Sequence, residues 1–287
     1  MSAELRQVHP EDADEICDFL HVHMNARISR ANWRRILVDY PWRVPGSDLG
    51  CVAVDRGRIV GFFGVMHTER RVDGARARIA NLTTWYLLKP YRGTGLNMPM
   101  LGAVTRAPGV TYTNFTSDRP VLRLFDRAKF RVLDDRRFLW QPSGRRAQEI
   151  EVLDDPAAIR DQLVPEARAL LDDHAGFNLR VFLIRAAEGA CLVMLAVMVK
   201  GDDIAYHEVL HLSDRTVFAR HVQAFADRVL PPEQAVLAVD SRLLHGVAVA
   251  AESVPLPVPR YFKPAHVEPW QVDFLYSEII LLDLKLF

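Results

Sequence analysis

Residues 86 to 97, Tyr-Leu-Leu-Lys-Pro-Tyr-Arg-Gly-Thr-Gly-Leu-Asn, constrain this chain more than any other segment. An apolar strand runs into a short Arg-Gly-Thr-Gly turn, and a helical segment follows at once, with Met98, Leu101 and Val104 on one face. Two glycines at such a junction let the backbone approach a ligand closely and aim its N–H groups outward. The helix N-terminus adds a partial positive charge, and together they make a seat for a phosphate or pyrophosphate. Two common phosphate loops do not fit. A P-loop ends Gly-Lys-Ser/Thr, whereas Gly95 is followed by Leu96 and Asn97; a dinucleotide fingerprint needs a third glycine where Met98 stands. A tight strand-to-helix turn with no ligand is the competing reading of the same residues.

The 287 residues suffice for one large domain or two small ones, and 49% hydrophobic with 25% charged residues is the composition of a packed protein. A formal net charge of +0 gives no case for nucleic acid or an anionic membrane as partner. Cys17, Cys51 and Cys191 are odd in number and far apart, which predicts reduced thiols and a cytoplasmic protein. No metal is expected. His21 and His23 fall on different helix faces, and His207 and His211 lie in an alternating, strand-like run. The polar N-terminus predicts no signal peptide, and the longest apolar run, Cys191 to Val199, is too short to cross a bilayer.

Along the first half, Leu5 to Val8 reads as a strand. Pro10 opens a helix, and Ser29 caps a second that stops before Pro41. Strands 50–56 and 58–69 flank an Arg56-Gly57 turn; 78–88 is a third strand, 96–106 a helix, and 110–115 a strand. Ser117 or Asp118 then caps a helix that buries Val121, Leu122 and Phe125, and residues 130–140 add further strand.

The resulting order, β-α-α-β-β-β-α-β-α-β, is an α/β chain with a mixed α+β sheet. With the Tyr-Arg-Gly-Thr-Gly core in its strand-to-helix context, it resembles the GNAT (GCN5-related N-acetyltransferase) family over residues 3–140. The family's acyl-CoA motif, Q/R-x-x-G-x-G/A, fits in two incomplete registers. Counted from Arg92, Gly95 matches and Asn97 departs; counted from Pro90, Gly93 and Gly95 match and the opening residue departs. The second family element, an Asn leading a helix that ends Tyr-x-x-x-Gly-Phe, corresponds to Asp118 and to Phe125 through Phe130, with Phe125 in place of Tyr and Lys129 in place of Gly.

The second half repeats the order. Helix 156–172, strands 179–186, 191–200 and 204–212, a helix capped by Ser213-Asp214, and strand 235–240 follow one another as residues 30–115 do. This predicts two domains. Residues 1–145 form a cofactor-binding GNAT domain, and 146–287 form a second, degenerate GNAT-like unit that props the acceptor cleft. An unrelated α+β domain is the alternative. Where the first copy has Arg-Gly-Thr-Gly, the second has Leu212 to Thr216 with no glycine, and Asp214 would repel a pyrophosphate. Val254 to Pro259 reads as an extended connector, residues 270–276 as a short helix, and Ile279 to Leu284 as a closing strand. The edge of that strand could pair two copies into a homodimer, or pair within its own sheet.

The resemblance implies acetyl transfer from acetyl-CoA to a small-molecule amine. The pyrophosphate would sit on the N–H groups of Arg92, Gly93, Thr94, Gly95, Leu96 and Asn97, with the pantetheine along Leu87 and Leu88. Asp118 would contact the cofactor or serve as a plain N-cap, and Phe125 stands where the family's usual acid, a Tyr, would be. Tyr112 and Ser117 are other donors. For the base, His67 and Glu69 share a face near a strand end and either could reach a bound amine; the competing reading makes both solvated hairpin-end residues. Asn81, Thr83, Trp85 and Leu87 share a face by alternation, the first three as substrate contacts, with Trp85 a platform or core residue. Gly61 and Gly64 would leave room for a longer acyl chain. Longer-chain acyl transfer, acyl-CoA binding without catalysis, and a purely structural role are the rival functions.

Overall fold

The structure is a computed structural model and describes residues 3–145, 150–201 and 203–284. In chain order the elements are β1 (Glu4–Gln7), α1 (Ala13–His23), α2 (Arg30–Leu37), β2 (Gly50–Asp55), β3 (Arg58–Val72), β4 (Ala75–Leu87), α3 (Asn97–Val104), β5 (Val110–Asn114) and α4 (Leu122–Arg127). Next come β6 (Arg131–Trp140), β7 (Glu151–Leu153), α5 (Pro156–Gln162), α6 (Pro165–Asp173), β8 (Arg180–Ala186), β9 (Gly189–Lys200) and β10 (Ile204–Leu212). The chain finishes with α7 (Arg215–Val229), β11 (Ala235–Asp240), β12 (Glu252–Lys263) and α8 (Glu278–Leu282).

Two compact units result. The first takes residues up to Val132 together with Arg260–Val267 and Tyr276–Leu284; the second takes Leu133–Pro259 and Glu268–Leu275. In the first unit β1, β2, β3 and β4 form an antiparallel run. β5 then lies parallel to β4, and Tyr261–Lys263 of β12 lie antiparallel to β5. The second unit repeats this order and sense. β7, β8, β9 and β10 are antiparallel, β11 is parallel to β10, and Arg137–Trp140 of β6 are antiparallel to β11. One helix joins the two parallel strands in each unit, α3 in the first and α7 in the second, as a parallel crossover requires.

Local chemistry explains the elements. Ser29 Oγ accepts the Asn32 N–H at 3.2 Å and caps α2. Arg56-Gly57 (φ 51° and 76°) and Asp73-Gly74 (φ 48° and 79°) have the left-handed pairs of tight hairpin turns. The second turn carries β3 and β4 past their expected ends. The helix expected over 156–172 is two helices. Pro165 lacks an N–H and pushes Val164 to an extended conformation, so α6 starts afresh there. Each unit has its own core. In the first, Met100, Leu101 and Val104 of α3 and Phe125 of α4 pack on Ala80, Leu82 and Tyr112. In the second, Phe218, Val222 and Phe225 of α7 pack on Val193, Leu195 and Leu237.

Four expectations are corrected, the second and third of them in neighbouring segments. First, the chain does not divide at 145 and 146. The strand after α4 pairs in the second unit, and the chain returns to supply the first unit's last strand and last helix. Second, Val254 to Pro259 is part of a strand, β12. Its prolines stand at alternate positions, so their missing N–H groups fall along one edge and the other edge keeps its donors. Third, residues 270–276 hold only a single 3₁₀ turn, Pro269–Gln271. Fourth, Ile279 to Leu284 is not a strand. α8 covers Glu278–Leu282 and ends at a left-handed Asp283 (φ 52°). An unbroken apolar run lacks the alternation that separates strand from buried helix, and with no strand there the edge argument for a homodimer falls.

A fragment of residues 1–145 would lack the antiparallel neighbour of β5 and would carry β6 without a partner. Expressed alone it should be insoluble or bind a hydrophobic dye such as ANS, and addition of residues 146–287 by co-expression should restore a soluble species. A soluble, cooperatively melting 1–145 fragment in size-exclusion chromatography and calorimetry would contradict this topology.

Candidate active site

The site is set by where β4 and β5 separate. They pair from Arg78–Val110 to Asn81–Thr113 and no further. At the same level β4 carries a bulge. Val65 faces Leu82 and Phe63 faces Trp85, so Thr83 and Thr84 together oppose Gly64. A Cβ on Gly64 would lie 2.5 Å from Thr83 Oγ1 and 2.9 Å from the Phe62 ring, which explains the glycine. The bulge also reverses the faces of β4. Before it Ala80 and Leu82 point into the core, and after it Trp85 and Leu87 do. The expected common face of Asn81, Thr83, Trp85 and Leu87 is therefore broken, with Thr83 in the bulge and Asn81 on the face opposite Trp85 and Leu87. Trp85 stacks on Phe63 (4.3 Å between centroids, 6°). The room expected at Gly61 and Gly64 is filled, since a Cβ on Gly61 would meet Leu87 at 2.4 Å.

Past the bulge, Leu88 N–H donates to Val60 O at 2.9 Å. By strand alternation the N–H groups of Trp85 and Leu87 then point away from β3, toward the side that β5 has left. Leu88 is thus spent on β3. Arg92 Nε donates to Leu87 O at 2.8 Å, and its guanidinium lies over the Tyr86 ring, which folds the turn back on its own strand. Thr94 Oγ1 donates to Tyr91 O at 2.7 Å. Gly93 (φ 77°) and Gly95 (φ 91°) are left-handed, and a Cβ on either would meet nothing within 4 Å, so the surface over the turn is open to a ligand. No side chain caps α3, which begins at Asn97 directly after Leu96; its first N–H groups keep their positive end for an anion.

The remaining expected residues are placed less favourably. Glu69 is exposed and ion-paired to Arg76 at 2.7 Å. His67 pairs with Ala80, on the core face and opposite Asn81. It lies beside the Tyr112 ring, its Nε2 is buried without a partner among the described residues, and burial lowers its pKa, which disfavours the charged ring. Tyr112 is spent in the core, its hydroxyl accepting the Ala107 N–H. Asp118 is exposed and caps nothing with its side chain, standing before a 3₁₀ turn, Arg119–Val121. Phe125 is fully buried between Phe130 and Tyr261.

Asn81 is the hub. Its Nδ2 donates to Thr113 Oγ1 at 3.2 Å, and its Oδ1 faces the N–H of Glu278 at 3.5 Å. Glu278, which sequence reasoning missed, heads α8. Its Oε1 accepts from Thr116 Oγ1 at 2.9 Å, while Oε2 is buried without a partner among the described residues. Burial pushes its pKa up to about 7, opposed by the Thr116 donor, its own N–H and the Arg260 charge. Arg260 is held in turn by Phe115 O at 2.9 Å. Asn114 Nδ2 reaches Leu82 O at 3.3 Å across the opening, and Ser117 donates to Asn114 Oδ1. The only sequence signal was a lone acid at the head of an apolar run; Asn81 is 197 residues away.

The second unit closes the matching place. Pairing of β10 with β11 ends at Glu208–Ala238, beside a shift between Val209 and His211. Phe274 N–H donates to Leu210 O at 3.0 Å, so the unit's own chain fills the gap. Glu208, Arg137, Asp240, Arg242 and Asp134 form a buried ionic chain there. Asp214 Oδ1 takes the N–H groups of Thr216 (2.8 Å) and Val217 (2.9 Å), so the N-terminus of α7 is already satisfied by a carboxylate.

No protein-family model matches the sequence, and no curated protein matches it. Solved structures do. A GCN5-related N-acetyltransferase from Kribbella flavida aligns over 91% of this chain and 71% of its own, with 15% identity and a TM-score of 0.55. One from Anabaena variabilis aligns over 91% and 72%, with 11% identity and a TM-score of 0.55. A conserved Enterococcus faecalis protein described as a probable N-acyltransferase aligns over 94% and 74%, with 12% identity and a TM-score of 0.57. The chain has the fold of the GCN5-related N-acetyltransferases. Among the described residues no helix is long and apolar enough to cross a membrane, and no group of three or more His, Cys, Asp or Glu could hold a metal.

Gly64→Ala should destabilise the protein by about 1–3 kcal/mol, the usual cost of overpacking a filled site. Urea unfolding followed by circular dichroism measures it; an unchanged midpoint would show that the bulge is not held by the absence of a side chain.

Proposed function

We propose that the first unit is an acyl-CoA-dependent N-acyltransferase that passes an acetyl group from acetyl-CoA to a primary amine of a small molecule. The observation that carries this reading is the opening left where β5 parts from β4, set beside an uncapped helix N-terminus and two left-handed glycines with open space above them. The Arg92 N–H is spent on Lys89 O at 3.2 Å, and the N–H groups from Gly93 to Asn97 would take the pyrophosphate. The pantetheine would lie along the Trp85 and Leu87 N–H groups as a missing strand, and one of these donors would hold the oxyanion of the tetrahedral intermediate. The filled space at Gly61 and Gly64 favours a short acyl group. Asp118 stands exposed near the opening and would contact the cofactor's edge. The second unit, with its gap closed and Asp214 on α7, would bind no acyl-CoA.

Calorimetric titration with acetyl-CoA, with ATP and NAD as controls, tests this on the native protein and on Gly95→Glu, which adds both bulk and negative charge at the pyrophosphate seat. Micromolar binding of acetyl-CoA alone, lost at least tenfold in the variant, is expected. No binding by the native protein would reduce the Arg-Gly-Thr-Gly turn to a connection between strand and helix.

A further inference from the structure

We propose that Glu278, brought to the parting of β4 and β5 by the C-terminal segment, is the group that takes the proton from the attacking amine. The inference rests on the acyltransferase reading above and supplies the base that the core strands lack. β4 carries no carboxylate from Ala75 to Leu87, Glu69 is ion-paired at the far end of the hairpin, and His67 lies on the opposite face from Asn81. Glu278 is 3% exposed. Its position is fixed by both diverging strands, through Asn81 of β4 and through Thr116 just beyond β5. The thioester of a strand-like pantetheine would lie in that divergence, so the carboxyl stands beside the carbon under attack.

Its two oxygens are unlike. Oε1 is held by the hydroxyl of Thr116, a solvent-exposed residue, and Oε2 has no partner among the described residues. An acceptor nitrogen would find one free oxygen, and the proton would find a hydroxyl path to water. In the reaction an alkylammonium gives one proton to Glu278, and its nitrogen attacks the thioester carbon. The C–N bond forms, the C–S bond breaks, and the second nitrogen proton goes to the departing thiolate. Glu278 then releases its proton to water by way of Thr116, so charge and atoms balance. A carboxyl titrating about 7 is matched to this task near neutral pH. The charged groups seen against the segment from other elements are Arg260 of β12, Arg70 of β3 over the Tyr276 ring, and Arg35 of α2 on Leu281 O; the acids of those elements, Glu69 of β3 and Glu252 of β12, are exposed. Of these only Arg260 acts on the Glu278 titration.

The test is Glu278→Gln, assayed with acetyl-CoA and four primary amines: an amino acid, a polyamine, an amino sugar and a peptide α-amine. The native protein should acetylate at least one, with kcat/KM rising to a plateau as pH passes about 7. The variant should bind acetyl-CoA within twofold of the native protein, melt no lower at pH 8, lose about a hundredfold or more in kcat, and lose that pH limb. Equal kcat and an unchanged pH profile in the variant would overturn the role of Glu278 and leave the acyltransferase reading intact. A native protein that binds acetyl-CoA but acylates none of the four would count against both. Weakened acetyl-CoA binding in the variant would make Glu278 part of the cofactor seat instead of the base.

Discussion

The loss of pairing between β4 and β5 after Asn81 is the constraint on which the rest of the first unit depends. Parallel strands bury both faces and share their hydrogen bonds completely, so a parting in mid-sheet leaves backbone donors that something must satisfy. The bulge at Thr83-Thr84 makes the parting permanent. It adds a residue to β4, turns the strand, and moves Trp85 and Leu87 into the core, off the face that strict alternation would share with Asn81. Gly64 permits the bulge because no side chain fits opposite it. The open turn at Gly93 and Gly95 and the uncapped α3 follow within a few residues, so one local irregularity lines up backbone donors along a single groove edge.

The second unit shows the same topology with the corresponding place filled by its own chain. Its parallel pair also ends early, beside a similar shift, yet the strand end and the following helix N-terminus are met by the unit's own chain. Phe274 donates to Leu210 O, the helix N-terminus is taken by Asp214, and the polar interior is filled by paired charges from Asp134 to Arg242. Buried ion pairs of this kind seldom add net stability over apolar packing. The contrast strengthens the view that the first unit's incompleteness is a feature of its work, since the fold can close the gap when closure is wanted.

Element order was legible in the sequence because the signals were local. Pro10, Ser29 and Asp214 announced helix starts, and Arg56-Gly57 announced a hairpin; the glycine turn before α3 was legible for the same reason. Three things were not. The reversal of faces along β4 depends on one extra residue, and a period-2 reading carries no sign of it. The Val-Pro-Leu-Pro-Val-Pro stretch looked like a linker because proline is counted against strands, although alternate prolines spare one edge. Glu278 was invisible because its partners, Asn81 and Thr116, are distant in sequence and its chain returns to the first unit only after completing the second. Composition and spacing report neighbours along the chain, and this site is made by neighbours across it.

Holding Glu278 in place costs stability, and the surrounding residues show how the cost is carried. A carboxyl oxygen left without a partner in a core forfeits its hydration for nothing in return. The residue two before it, Tyr276, adopts a left-handed conformation at φ 59°, a strain of order 1–2 kcal/mol for a residue with a side chain. Such strain persists only where the surroundings over-determine it. Here the Trp42 ring meets Tyr276 edge-on at 5.3 Å, the Arg70 guanidinium lies over it, and the four residues after Ser277 are buried. Apolar burial of Ile279, Ile280 and Leu281, each worth about 1.5–3 kcal/mol when complete, is large enough to offset both penalties. A segment serving only to seal the core would need neither the acid nor the strained tyrosine, because an apolar residue at 278 would seal it better. The anchoring of this acid by an apolar helix and an aromatic clamp keeps one carboxyl oxygen fixed beside Asn81 with no partner among the described residues.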